Sequence, residues 1–265
     1  MNNITLGQFF PGDSPVHRLD PRTKILLMLL YIVVVFLVQK TALFLLPFAY
    51  VVLVVALSGV PPLYVLRSLK PLRVLLIFMF IMNLFLTSGT EVLWSWSFLR
   101  ITREALRQAV YISIRLVLLV GGTSLMTLTT SPIALTDGLE RLLKPFSKLG
   151  FPSHELAMMM TIALRFIPTL MEEADKIRKA QLARGADFES GNLIRRAKSL
   201  IPILVPLFVS AFRRADELAM AMESRCYHGG EGRTRMHVLR YTRSDAAAWL
   251  ITLLMGAAIV AVQAL

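Results

Sequence analysis

Residues 246–264, AAAWLITLLMGAAIVAVQA, run nineteen positions without a charged side chain. At 1.5 Å per residue that is about 28 Å of helix, close to the thickness of a bilayer's hydrocarbon core. Such a segment is stable in lipid as a helix that satisfies its own backbone hydrogen bonds. Four more apolar runs precede it. ALFLLPFAYVVLVVAL (42–57) and VLLIFMFIMNLFLT (74–87) carry no charge, ILLMLLYIVVVFLV (25–38) is short, and residues 109–131 are long but contain Arg115. The expected fold is therefore an all-α integral membrane protein with about five transmembrane helices. Composition agrees: 55% hydrophobic residues are too many for an ordinary soluble domain, and a net charge of +12 is too large for a chain lying wholly in lipid.

Loop charge gives the expected orientation. Arg18, Arg22 and Lys24 before the first run, Arg67, Lys70 and Arg73 after the second, and the basic region after the fourth all read as cytoplasmic. That leaves Lys40 outside, a cytoplasmic N-terminus and an outer C-terminus. Arg100, Arg103 and Arg107 fall on the outer side against this scheme. The opening MNNITLGQFF lacks a basic start and a small-residue cleavage site and is not expected to be a signal peptide. Cys226 is the single cysteine, so no internal disulfide forms.

Most of the charge lies between the fourth and last runs, dividing the chain into a membrane domain with four spans (1–131), a helical cytoplasmic domain (132–245) and a terminal span (246–265). Glycine and proline punctuate the middle block into helices ending near Gly150, Gly185 and Gly229, with Pro168, Pro202 and Pro206 expected to kink or interrupt the last two. Shifting the last helix back by 41 residues aligns Ala174 with Ala215, Asp175 with Asp216, Ala180 with Ala221 and Arg184 with Arg225. Each copy of this weak repeat passes from an apolar, proline-containing half into a charged half and stops on an arginine. Ala180 and Ala221 sit four residues before those arginines, placing a small residue on the same helix face, where another protein can approach closely. A basic residue there also complements the helix dipole, by a few tenths to about 1 kcal/mol. Recurrence at a fixed offset favours a docking role.

Other chemistry is not signalled. No G-x-x-x-x-G-K-[ST] phosphate loop, H-E-x-x-H or G-x-S-x-G occurs, and His17, His154, His228 and His237 are too scattered for a metal site. Glu172 and Glu173 lie among Asp175, Lys176, Arg178 and Lys179 and read as a solvated, salt-bridged face. Arg115 reads as an anchor near a span end, and Arg165 as holding the kink at Pro168 through freed carbonyls. The methionines of AMMM (157–160) and AMAM (219–222), among them Met158, Met159, Met220 and Met222, fit either core filling or an adaptable surface for several partners. Thirteen acidic against eighteen basic residues over 132–245, without an aromatic-and-basic motif, argue against nucleic acid and for anionic lipid as the sink for excess charge. A self-sufficient secondary transporter is the competing class. It requires inverted repeats among the spans, whereas the repeat here lies in the basic domain.

Four segments in order, SPVHRLDPRTKI (14–25), RFIPTLMEEADKIRKAQLARG (165–185), RRADELAMAMESRCY (213–227) and GRTRM (232–236), resemble the transmembrane T component of energy-coupling factor transporters, over essentially the whole chain. The resemblance implies a bacterial or archaeal multi-pass membrane protein whose 132–245 block is a cytoplasmic coupling domain. It implies a non-catalytic subunit that joins two ABC-type ATPases, which bind the ATP and Mg, to a substrate-binding S component importing vitamins or other micronutrients such as metal ions. No cofactor is implied in this chain. Ala183, Arg184 and Gly185 match the family's first Ala-Arg-Gly docking motif, and Ser224, Arg225 and Cys226 match the second at its arginine. Arg165, Pro168 and the four methionines are candidates for structural roles or for the S-component interface.

Overall fold

Each apolar run forms a helix, and the helices pack where small residues let backbones approach. The computed structural model describes residues 9–87, 91–96, 99–188, 192–229 and 238–264; GRTRM lies outside them, as do the first eight residues of MNNITLGQFF. The chain divides into two compact units, Met1–Leu142 with Val238–Leu265, and Leu143–His237.

In the first unit, α1 (Pro21–Leu37) is followed by a 3₁₀ turn running into α2 (Leu45–Ser58). Next come α3 (Pro62–Leu69) and α4 (Arg73–Leu86), joined by a 3₁₀ turn at Lys70–Leu72. A small antiparallel hairpin of β1 (Val92–Trp96) and β2 (Leu99–Thr102) leads into α5 (Arg103–Thr129). Then come α6 (Pro132–Leu143) and the terminal α10 (Arg243–Ala264). The hairpin is an addition to an otherwise helical protein. Among the described residues four stretches are long and apolar enough to cross a membrane: Thr41–Ser58, Pro62–Leu86, Arg103–Thr129 and Arg243–Gln263. The expected first span lies in α1, whose 17 residues are at the short end of what crosses.

α5 is the centre of this unit, packing on α1, α2, α3 and α4, while α10 lies against α1 and α2. Tyr31, Val34, Val35, Val38, Leu118, Leu125, Leu128 and Ile259 form the core. Gly122 of α5 supports the ring of Tyr31 so closely that a Cβ there would sit 2.2 Å from its Cε1. The Tyr31 hydroxyl donates to the Leu118 carbonyl at 2.9 Å. Only a residue without a side chain lets the two helices meet this way.

The N-terminal ends of α1 and α10 are pinned together. Asp20 caps α1, accepting from the Arg22 N–H at 2.9 Å. Its own N–H donates to Asp245, whose other carboxylate oxygen accepts from the Thr242 N–H and hydroxyl, each at 2.7 Å. Arg22 grips Asp20 through two bonds of 3.0 and 2.7 Å and stacks 4.1 Å from the centre of the Tyr241 ring. Lys24 is buried and donates to the carbonyls of His17 and Thr129. The segment 14–25 is thus a knot of caps. At the other end of α1, Arg115 donates to the Val38 carbonyl at 2.8 Å and stacks on Tyr111 and Phe36. Closing the exposed carbonyls of a helix C-terminus with a cation is favourable, so this intramembrane arginine is an anchor with a specific partner rather than a snorkelling chain.

The second unit contains a 3₁₀ segment, Lys144–Leu149, then α7 (Ser153–Ala183), α8 (Leu193–Ser199) and α9 (Ile201–Glu223). α7 runs unbroken through Pro168 and α9 through Pro206, whereas Pro202 occupies the first turn of α9, where a missing N–H removes no bond. α7 and α9 pack on each other. Ser153, Ala157 and Ile203 are its buried residues among those described. Ile201, Val205, Phe208 and Phe212 leave a continuous apolar stripe exposed along α9, Phe212 at 70%. A face of that kind is stable only against lipid or protein.

Candidate functional site: two arginine-tipped helix ends

α7 and α9 end in one geometry. At the first end, the Gly185 N–H bonds to the Leu182 carbonyl at 3.0 Å and the Ala186 N–H reaches back to the Gln181 carbonyl at 3.0 Å. At the second, the Cys226 N–H bonds to the Glu223 carbonyl at 2.9 Å and the Tyr227 N–H to the Met222 carbonyl at 3.1 Å. Counted from each arginine, donors at +1 and +2 meet acceptors at −2 and −3 in both places. This is the Schellman closure, which requires a left-handed residue just past the helix. Gly185 supplies it at φ +84 and Cys226 at φ +54, the latter the one non-glycine residue with positive φ among those described.

The third position of each motif therefore has a backbone reason as well as a steric one. The sequence suggests small volume. The structure adds handedness, which glycine meets freely and cysteine meets against the contact of its Cβ with the following carbonyl. The closure stops each helix abruptly, so the arginine stands on the last helical turn.

Ala183, Arg184, Gly185, Ser224, Arg225 and Cys226 are all exposed. Among the described residues neither Arg184 nor Arg225 has a side-chain hydrogen bond or ion pair. Two planar forks with five donors each are thus presented to solvent on rigid ends.

The other candidates separate. Met159 and Met220 are exposed, at 54% and 63%, while Met158 and Met222 are half-buried, so these clusters lie at the surface rather than filling a core. Arg165 is exposed and, among the described residues, makes no bond to the carbonyls freed by Pro168, itself exposed; the expected kink-holding contact is absent. Among the described residues no group of three or more His, Cys, Asp or Glu is placed to hold a metal ion.

One pair that the sequence reading did not pick out lies between the two helices. Arg214 on α9 donates to Glu173 on α7 at 2.9 Å. The Ser210 hydroxyl donates to the same carboxylate, and with Arg214 it holds that carboxyl below the usual range. Glu173 is thus not simply solvated. The signal was in the repeat, because 214 is 173 shifted by 41.

The comparisons with known proteins agree with the motifs. The family described as CbiQ, cobalt transport protein, matches residues 12–238. The energy-coupling factor transporter transmembrane protein EcfT of Thermosediminibacter oceani is 57% identical over 252 residues, covering 95% of each chain. That of Acidaminococcus fermentans is 57% identical over 253 residues, 96% of this chain and 94% of the relative. That of Bacillus subtilis is 46% identical over 259 residues, 98% and 97%. The chain belongs to this family of energy-coupling factor transporter transmembrane proteins. As a member it is the membrane-embedded component of a transporter, consistent with its four candidate spans. Within that family identity, both arginine-ended helix tips and the segment 14–25 fall inside the matched region.

Proposed function

We propose that this chain is the scaffold and coupling subunit of an ATP-driven importer. Arg184 and Arg225 each insert into one of two ABC-type ATPases, which bind and hydrolyse ATP with Mg. The membrane unit and the apolar stripe of α9 hold a substrate-binding membrane subunit. The chain itself is non-catalytic and converts nucleotide-driven movement of the ATPases into reorientation of that subunit. Cargo is a vitamin or another micronutrient, including transition-metal ions, bound by the partner rather than here. The N-terminus and residues 132–245 face the cytoplasm, where the ATPases are. The unlike third residues, Gly185 and Cys226, suit two non-identical ATPases.

The observation that carries this reading is the pair of matching helix closures, each presenting an exposed arginine without a partner among the described residues. A secondary transporter has no use for two such ends. The test is co-purification of the ATPases with wild type, Arg184→Glu, Arg225→Glu and the double variant from detergent, with uptake measured in parallel. Each single variant is expected to weaken recovery, since truncating one partner of a buried charge pair costs about 2–5 kcal/mol. The double variant is expected to abolish recovery and uptake while remaining folded. Full ATPase recovery and uptake in the double variant would reduce the arginines to helix caps and overturn the proposal.

A further inference from the structure

Glu173 of α7 and Arg214 of α9, 41 positions apart, are a residue and its own repeat mate in direct contact, so this contact stands at the same position along both copies of the repeat. A second contact fixes the direction of the helices: the Tyr227 hydroxyl, just past α9, lies 3.4 Å from His154 Nε2 in the first turn of α7. The end of one helix therefore meets the start of the other, and the two run in opposed directions through the pair. Arg184 lies eleven residues beyond Glu173, and Arg225 eleven beyond Arg214. Each tip is about 16 Å of uninterrupted, proline-free helix from that contact, and because the helices are antiparallel the tips lie on opposite sides of it.

The contact is also where the repeat has to break its likeness. Identical residues at 173 and 214 would set like charges against each other, and here the chain carries one acid and one base. Ala174 and Asp175, the next two positions, keep their repeat mates Ala215 and Asp216.

We infer that the Glu173–Arg214 pair is the pivot of the coupling helices, fixing the separation and register at which the two arginine-tipped ends are presented. This rests on the docking role proposed above. Both residues are positioning residues: they act through helix geometry on arginines they do not touch. α7 and α9 share few buried apolar residues, so a single cross-helix ion pair backed by the Ser210 hydroxyl is a large part of what defines their register.

The test places spin labels at the repeat-equivalent, exposed positions Leu182 and Glu223, each changed to cysteine in a Cys226→Ser background, in the full chain in nanodiscs. The labelled backbones stand at most about 27 Å apart along the helices. Wild type is expected to give one narrow distance distribution. Glu173→Gln and Arg214→Gln are each expected to broaden or shift it, their combination to be no worse than either alone, and Arg214→Lys to stay near wild type. In the assembled transporter the glutamine variants are expected to retain ATPase co-purification yet lose about fivefold in uptake per ATP hydrolysed, the scale of a partly exposed ion pair.

Unchanged distances and an unchanged uptake-to-hydrolysis ratio in both glutamine variants would overturn the inference. So would equal damage from Arg214→Lys and Arg214→Gln, which would make the residue's shape, not its charge, the determinant. The distances are read without ATPases, so failure of the docking proposal leaves this result standing. A failed pivot likewise leaves the Arg184 and Arg225 co-purification test intact.

Discussion

The two helix closures make a prediction of opposite sign at equivalent positions. Gly185 has no atom within 4 Å of where a Cβ would stand, so Gly185→Ala meets no clash. Its cost is all backbone, because an alanine at φ +84 brings its Cβ against the following carbonyl, at roughly 1–2 kcal/mol. At Cys226 that cost is already present, and Cys226→Gly removes it. The gain is offset by the extra freedom glycine has in the unfolded turn, about 0.4–1 kcal/mol, leaving a net improvement of roughly 0–1.5 kcal/mol. The two amides that report closure are those of Ala186 and Tyr227, which donate the long-reach bonds. Hydrogen exchange at Ala186 is expected to speed up by roughly 5- to 30-fold in Gly185→Ala, and at Tyr227 to slow or hold in Cys226→Gly. If the arginines dock only from closed ends, ATPase affinity follows the same signs. A change of the same sign at both sites, or less than twofold loss of protection in Gly185→Ala, would refute the shared closure as the reason for a third position favouring glycine.

Three further outcomes follow from the packing. Arg115→Leu leaves the terminal carbonyls of α1 without their cation and is expected to cost about 1–3 kcal/mol, read as a lower Tm in detergent; an unchanged Tm would make the contact incidental. Gly122→Ala drives a methyl into the Tyr31 ring and is expected to cost about 1–3 kcal/mol. Adding Tyr31→Phe should not rescue it, since the nearest atom is the ring Cε1 and not the hydroxyl. The Glu173 carboxyl is held below its ordinary range by Ser210 and Arg214. Its stabilising contribution is therefore complete above the ordinary carboxylate range and lost as pH falls through the lowered value. The 182–223 distance distribution should stay constant from neutral pH down through that range and broaden only in stronger acid. Broadening at mildly acidic pH would mean another group titrates.

How much was legible can be seen residue by residue. The spans announce themselves because lipid admits few alternatives to a long apolar helix, and α10 and α2 lie where their uncharged runs place them. Pro62–Leu86 begins twelve residues before the expected run, since Arg67, Lys70 and Arg73 interrupt the apolar pattern but not the helical path. The hairpin at 92–102 was not legible: its strands are short, and Arg100, Arg103 and Arg107 had been weighed only as loop charge. Arg103 pairs with Glu91 at 3.1 Å at the foot of that hairpin, which gives one of these awkward charges a local partner. In the docking motifs, the arginines could be read from recurrence, whereas the left-handed turn at Cys226 could not, because cysteine seldom takes that conformation. Glu173 was misplaced for a related reason. Neighbours at i+3 and i+4 can be read along one helix, as with Asp175 and Arg178, but a repeat states that two segments are alike without stating that they touch.

Two of the kinds of segment that carry the family resemblance answer different physical demands. SPVHRLDPRTKI is spent inward: Asp20 and Arg22 close on each other, on the capping carboxylate of Asp245 and on Tyr241, and Lys24 satisfies two buried carbonyls. Every charge in 20–24 has a partner within the membrane unit, so substitutions there should cost stability before they cost partners. The two arginine motifs are spent outward: their backbone N–H groups close the helix ends, while the guanidiniums at their tips have no partner among the described residues. A charge kept exposed and unpaired at the end of a tightly closed helix contributes little to the isolated chain, because surface charges contribute little to stability. On the docking role proposed above, Arg184 and Arg225 should be nearly silent in unfolding experiments on the purified chain and decisive in assembly.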